Sequence, residues 1–360
     1  MMYVTKQEGN RMKKQNELIS VIMAVYNGEE YLKPAIQSVL DQTYKNFEFI
    51  IVNDASTDNT VNIIESFRDE RICLVHNEKN LRLAASLNKA IAMANGKYLL
   101  RMDADDICFP DRFEKQVAYM DKHPEIGIAF GSVLKFSGDT VLKEIDSNEK
   151  KPEYIRATML FFNTVYHPNV IMRREIFSKY SYQKEYTVSE DMALWLQVTK
   201  DYRITRMNDY TLLYRVHQNQ VSTAFHEKQV EQEMQMKLPY LQKLVKEITV
   251  SEQEIHSRVS RRNAEVSVSE LQSWIEKLKY KNEETKVYEK NVFEYVLLRI
   301  SMIVSIYNSY LPQMIRWMIA KFGMWKVMIS FKKILGNILF EEVFLLCNLQ
   351  KARERINSLK

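Results

Sequence analysis

"LISVIMAVYNGEEYLKPAIQSVLDQTYKNFEFIIVNDASTDNT", residues 18–60, decides the fold. Its two apolar runs, 18–25 and 47–53, are short, rich in Ile and Val, and bounded by polar turns. Continuous apolar runs of that length suit strands covered on both faces. Between them Leu32, Ile36, Val39 and Leu40 recur at helical spacing. After the second run, "DASTDNT" offers Ser, Thr and Asp as helix caps ahead of Val61, Ile64 and Phe67. The alternation then continues. "ICLVH" (72–76) and "KYLLRM" (97–102) read as strands, and Leu83, Leu87, Ala90, Ile91 and Ala94 mark the helix between them. Such alternation predicts an α/β domain on a mostly parallel sheet.

Sheets of this kind bind ligands at the carboxyl ends of their strands. Here those ends carry "YNGEE" (26–30), "NDAS" (53–56) and "MDADD" (102–106). The last places Asp103, Asp105 and Asp106 within four positions. Like charges that close repel one another, and removing them from water is costly. A hard divalent cation, Mg²⁺ or Mn²⁺, relieves both problems and leaves room for substrate phosphates. The cluster is therefore read as a metal site and, through the metal, a site for a nucleotide diphosphate.

Farther along, "IGIAFGSVL" (126–134), "NVIMRR" (169–174) and "YTLLYRV" (210–216) read as strands. "SEDMALWLQVTK" (189–200) reads as a helix whose first turn holds Glu190 and Asp191. Acids in that position complement the helix dipole, so position alone leaves a structural and a chemical role equally open. After about Phe225 the chain turns to Glu-, Lys- and Gln-rich helical stretches, and then to an apolar, aromatic and basic tail. The formal net charge is only +5, which gives no indication of nucleic-acid binding, and residues 291–360 alone carry +6. The longest uncharged run in that tail, Ile300–Ile315, is 16 residues long and contains Pro312. A bilayer span needs about 20 apolar residues. The tail thus reads as an interfacial segment on an anionic membrane surface, or as a helical subdomain packed on the body.

Composition removes other chemistries. The eight glycines include no G-x-G pair, and there is no G-K-[ST] loop, no G-x-S-x-G elbow and no Cys/His cluster. Cys73, Cys108 and Cys347 have no ligand spacing and read as reduced thiols of a cytoplasmic protein or as small buried apolar groups. The polar N-terminus lacks the apolar segment of a secretory signal, and Met12 is an alternative start to Met1.

Taken in order, the stretch 19–60, the Asp-x-Asp at 103–105, "PDRFEKQ" (110–116), "SEDMALW" (189–195) and "YRVHQNQVS" (214–222) resemble the inverting family 2 glycosyltransferases, which have the GT-A fold. The resemblance covers about 18–222. It implies that Val25 and Tyr26 line the base pocket, that Glu29 lies near the nucleoside, and that Asp54 accepts the imino N–H of uracil, a task suited to an acceptor-only carboxylate. It implies that Asp103 contacts ribose or metal and that Asp105 ligates the metal. Asp106 joins them or caps the next segment. Arg82 stands where the commoner family pattern has Gly, and it either pairs with the nucleotide or is a solvated helix-start arginine. Asp191 matches the catalytic base, which takes the proton of an attacking sugar hydroxyl. Glu190 orients the acceptor or its loop. His217 approaches the metal or diphosphate with Arg215 as its companion, and His167 lines the acceptor side.

The resulting expectation is a metal-dependent (Mn²⁺ or Mg²⁺) inverting hexosyl- or N-acetylhexosaminyltransferase. It moves a sugar from a UDP-sugar to a glycan or lipid-linked acceptor in bacterial surface polysaccharide synthesis. A disordered or extended N-terminus (1–17), a GT-A domain (18–224) and a helical C-terminal region (225–360) make up the chain, with the tail docking the enzyme on the inner face of the cytoplasmic membrane. Two rivals are weaker. A nucleotidyltransferase needs a Gly-rich phosphate loop that "VYNGEE" does not supply, and a non-catalytic scaffold has no need of both Asp105 and Asp191.

Overall fold

A computed structural model describes residues 17–138, 140–142, 151–217, 226–261, 265–324, 326–330 and 355–359. The alternative start at Met12, the tail stretch 331–354 with Cys347, and residues 218–222 of "YRVHQNQVS" lie outside the described residues. The chain opens with β1 (Ile19–Val25), α1 (Leu32–Leu40), β2 (Phe47–Asn53), α2 (Thr60–Ser66), β3 (Ile72–His76), α3 (Arg82–Met93) and β4 (Tyr98–Arg101). It continues with β5 (Ile107–Cys108), α4 (Arg112–Lys122), β6 (Ile126–Ser137), β7 (Thr140–Leu142), α5 (Pro152–Thr158), β8 (Val170–Arg173), α6 (Glu190–Val198) and β9 (Arg203–Arg215).

These strands form one sheet in the order β3-β2-β1-β4-β8-β6-β9-β5, with β7 on β6. The first four strands pair in parallel, as the apolar runs predict. Beyond β4 the sheet is mixed: β8 is antiparallel to β4 and β6, whereas β9 is parallel to β6. The sequence does not distinguish these directions, because strands buried on both faces look alike whichever way they run. Alternate residues of β1 serve opposite layers. Ile19, Val21, Met23 and Val25 pack with α1 and α4, while Ile22 packs with α3 and α6. The sheet is thus covered on both faces, and its strand ends are what remain open to a ligand.

Helices 226–244, 250–260, 268–285, 290–307 and 311–322 share a second core. Ala157, Leu160 and Phe161, at and just beyond the end of α5, belong to that core, so the helical region packs onto the sheet domain. Phe293, Val296, Leu297, Leu298, Met302, Met314 and Met318 are buried there. This burial accounts for most of the apolar character of 290–322, and Met324, Met328 and Ile329 are left exposed beyond it. No helix among the described residues is long and apolar enough to cross a membrane.

The last described turn returns to the sheet. Ile356 is buried against Ile107, Phe109, Leu134, Phe136 and Leu213, and Arg355 pairs with Asp41 at 3.2 Å. Ile356→Asp places a charge in that apolar contact. It is expected to cost about 2–4 kcal/mol and to lower Tm by several degrees, measurable by thermal unfolding of the full chain.

Candidate active site

Three polar turns meet at the carboxyl ends of β1, β2 and β4. The first two are tied to one another through their backbones. Asn27 N–H donates to Ser56 Oγ at 3.0 Å, Gly28 N–H to Thr60 Oγ1 at 2.9 Å, and Glu29 N–H to Asp58 Oδ2 at 3.0 Å. In return Thr57 N–H donates to Asn27 Oδ1 at 2.9 Å and Asn59 N–H to Glu29 Oε2 at 2.9 Å. The "DASTDNT" side chains therefore brace the 27–29 turn at the cleft, which Asp54 alone of them lines, rather than simply capping the α2 helix that follows. Gly28 keeps the turn close to β1: a Cβ there would lie 2.6 Å from Val25 Cγ2 and force that side chain to shift.

Asn27 (φ 51°), Ala55 (φ 62°) and Arg82 (φ 69°) all adopt left-handed backbone at these turns. That conformation costs a side-chain-bearing residue about 1 kcal/mol relative to glycine. It explains why glycine suits position 82, and it means that an arginine there is held against a local cost. The turn itself is held by the backbone N–H of residue 82, which donates to Asp54 Oδ2 at 2.8 Å whatever the side chain. Asp54, almost fully buried, also accepts at Oδ1 from Asn77 Nδ2 (2.7 Å) and Leu81 N–H (2.8 Å). Oδ1 is saturated, and Oδ2 keeps one lone pair for a further donor. Arg82→Gly relieves the left-handed backbone and is expected to raise stability by about 0.5–1 kcal/mol, read by thermal melts beside the wild type.

At the β4 end, ligand atoms of Asp103, Asp105 and Asp106 lie within 4.8 Å of one another. His217, which follows β9, places Nε2 3.0 Å from Asp105 Oδ2. Arg215 is committed locally. Its N–H donates to Asp106 Oδ1 (2.8 Å), its Nε donates to the Asp105 carbonyl (2.7 Å), and its guanidinium stacks on Tyr31 and Phe136. Asp106 Oδ2, fully buried, has no hydrogen-bond partner. Burial, reinforced by the Asp105 charge, pushes Asp106 well above the usual carboxylate range and raises Asp103 as well. A buried orphan oxygen among converging carboxylates beside an imidazole fits a divalent cation.

Across the cleft, the N-terminus of α6 presents Glu190 and Asp191. Asp191 Oδ1 accepts from Met192 N–H (2.6 Å) and Oδ2 from Asn163 Nδ2 (2.8 Å). Burial outweighs these donors, pushing Asp191 to about 6; burial and the Asp191 charge push Glu190 to about 7. His167 pairs Nε2 with Tyr182 Oη at 2.7 Å and faces Glu190 Oε1 with Nδ1 at 3.8 Å; burial holds it well below the usual imidazole range.

A cleft of about 1340 Å³ joins these groups. Such a volume exceeds that of a single small-ligand pocket and leaves room for two substrates. Among the residues singled out in the sequence, Val25, Tyr26, Asp54, Arg82, Asp103, Asp105, His167, Glu190, Asp191 and His217 line it. Glu29, Asp106 and Arg215 do not, and Glu30 and Tyr31 line the wall beside Glu29. Sequence reading missed Arg101, Asn163 and Glu233, which also line the cleft. Their signals are weak: a strand-terminal Arg, a loop Asn and a Glu on a polar helix.

A family model described as "Glycosyl transferase family 2" matches residues 20–181. An uncharacterized glycosyltransferase of Haemophilus influenzae is 34% identical over 59% of this chain and 70% of its own. The chain belongs to glycosyltransferase family 2. This transferase is also 31% identical, over 57% of its length and 80% of the relative's, to the Escherichia coli UDP-Glc:alpha-D-GlcNAc-diphosphoundecaprenol beta-1,3-glucosyltransferase WfaP. The S. aureus TarS 1-349 structure in complex with UDP-GlcNAc matches 83% of the transferase and 91% of that chain, at TM-score 0.52 and 18% identity. The transferase thus has the GT-A fold, with the additional helices following the sheet domain.

Proposed function

We propose that this transferase moves a hexose or N-acetylhexosamine from a UDP-sugar to a hydroxyl of a glycan or lipid-linked acceptor, in one displacement that inverts the anomeric centre. The carrying observation is the placement of Asp191: a carboxylate raised to about 6, in the same cleft as the acidic cluster and presented by a different element. Val25, Tyr26 and the open lone pair of Asp54 receive the uracil ring. Asp103, Asp105 and His217, with Asp106 beneath them, would hold Mn²⁺ or Mg²⁺. When bound, that ion neutralises the charge developing on the departing diphosphate. Asp191 takes the acceptor proton as its oxygen attacks the anomeric carbon, and UDP leaves from the opposite face. Glu190 and the neutral His167 fix the loop that carries the acceptor.

The names of the relatives support the substrate classes. WfaP is named for a UDP-glucose donor and a diphosphoundecaprenol-linked acceptor, and TarS was crystallised with UDP-GlcNAc. The reading divides the chain into a catalytic body (18–224) and a helical region (225–360). It places the enzyme on the cytoplasmic face of the membrane, with residues 291–360 meeting anionic lipid through the exposed Met324, Met328 and Ile329 and the basic excess of the tail. A screen of UDP-sugars for hydrolysis and for protection against unfolding, with and without Mn²⁺, tests the activity. Protection by at least one donor that grows with Mn²⁺ is expected, and no response to any donor overturns the reading. Flotation with phosphatidylglycerol vesicles tests docking, which is expected to weaken when the three exposed apolar residues become serine.

A further inference from the structure

The cleft is lined by acidic groups from two elements: Asp103 and Asp105 after β4, and Glu190 and Asp191 in the first turn of α6. Burial raises Asp103 on one side and Glu190 and Asp191 on the other, and like charges in a common cleft disfavour each other's ionised forms. Arg101 lines the same cleft as both sets. It is the last residue of β4 and only 2% exposed. Its Nη1 forms an ion pair with Asp103 Oδ2. Its Nε makes no hydrogen bond. Its carbonyl accepts from Arg112 Nη2 at 2.8 Å, and Arg112 is itself fully buried and donates to Gln116 Oε1, so the strand end is held from below. The Arg101 charge also acts on Glu190 and Asp191, opposing the effect of burial at both.

Resting on the transferase reading above, we propose that Arg101 is a positioning residue linking the two halves of the site, fixing Asp103 on the donor side while its guanidinium balances the charge of the Glu190–Asp191 pair on the acceptor side. A guanidinium suits this place because it stays charged when buried and its planar fork keeps a fixed direction. The groups acting on Asp191 come from several elements. Glu190 shares its helix, Glu233 reaches in from helix 226–244, Tyr182 precedes α6, and Arg101 supplies the opposing charge from the sheet.

The test compares R101Q and R101K with the wild-type full chain, using UDP release from the donor that the screen selects. R101Q is expected to lower kcat at least 100-fold and to raise donor KM severalfold, because Asp103 loses its partner on the donor side. The acid limb of its rate profile is expected to move up by about one pH unit, because Asp191 loses its opposing charge. R101K keeps the charge without the fork; its acid limb is expected to stay in place while kcat falls about tenfold. A merely structural Arg101 would leave the acid limb of R101Q where it is in the wild type, and that result overturns the inference. Wild-type kcat in R101K overturns it as well, and decides the matter if R101Q does not fold. The transferase reading fails separately, through a wild-type chain that releases UDP from no donor.

Discussion

Asp191→Asn is expected to bind UDP as the wild type does and to lose transfer by about 1,000-fold or more in kcat. An amide of the same shape keeps the bond from Asn163 or its mirror, but it cannot take a proton, and a positioned general base contributes about 10²–10⁴. Binding should survive because Asp54, Val25 and Tyr26 stand on other elements. In the wild type kcat should fall as the pH drops through about 6, the value to which burial pushes Asp191. The same shift has a stability consequence. A carboxyl whose folded value is about 6 and whose unfolded value is about 3.9 binds protons more tightly when folded, so the wild type loses stability as pH rises from about 4 to 6. The asparagine variant avoids this loss. Its Tm should exceed that of the wild type by a few degrees at pH 7, and the advantage should shrink below pH 6 and vanish near pH 4. UDP titration, a rate profile and melts at pH 4, 5.5 and 7 check all three parts. Wild-type transfer in this variant would remove Asp191 from its role.

Much of this arrangement was legible because the sheet enforces it. Apolar runs covered on both faces announce β1, β2 and β4, and the polar residues that follow each run must then converge at one edge. That rule brings the Tyr26, Asp54 and Asp105 turns together without any knowledge of side-chain contacts. The partner of Asp105 needed more. His217 is 112 residues away, and only the order of motifs pointed to it. What stayed hidden was local geometry. A one-residue choice in a turn decides which side chain lines the wall, and here Glu30 does so while Glu29 caps a neighbouring turn. The left-handed backbone at Arg82 leaves no trace in composition. Arg101 was unreadable for another reason: a basic residue at a strand end looks like the point where the chain meets water, and only the carboxylates gathered around it make burial tolerable. The tail was ambiguous in the sequence because apolar helices look the same whether they cover a membrane or one another. Its buried Phe293, Leu297 and Met302 belong to a core that only the packing reveals.

Asp105→Asn tests the donor half of the site with an effect of comparable size. Asp105 is the one acid of the cluster whose Oδ2 meets His217. Asparagine keeps the shape but removes the charge, and the remaining groups then offer a cation a smaller net attraction together with a neutral oxygen. Metal affinity in the presence of UDP is expected to fall at least 100-fold, and transfer with it. Folding should be unaffected or slightly improved, since one of several crowded like charges is gone. Chelation with EDTA should mimic the variant in the wild type, with recovery on adding Mn²⁺. The variant itself should recover only at far higher Mn²⁺, if at all. His217→Ala should show the same pattern to a smaller degree, because it removes a neutral ligand and leaves the carboxylates. The pair also separates two functions of the acidic turn. If Asp105 acted only to hold His217 and the end of β9 in place, Asp105→Asn and His217→Ala would lower Tm while leaving the Mn²⁺ dependence of UDP binding unchanged. If Asp105 gathers a cation for the diphosphate, the Mn²⁺ titration moves and Tm does not.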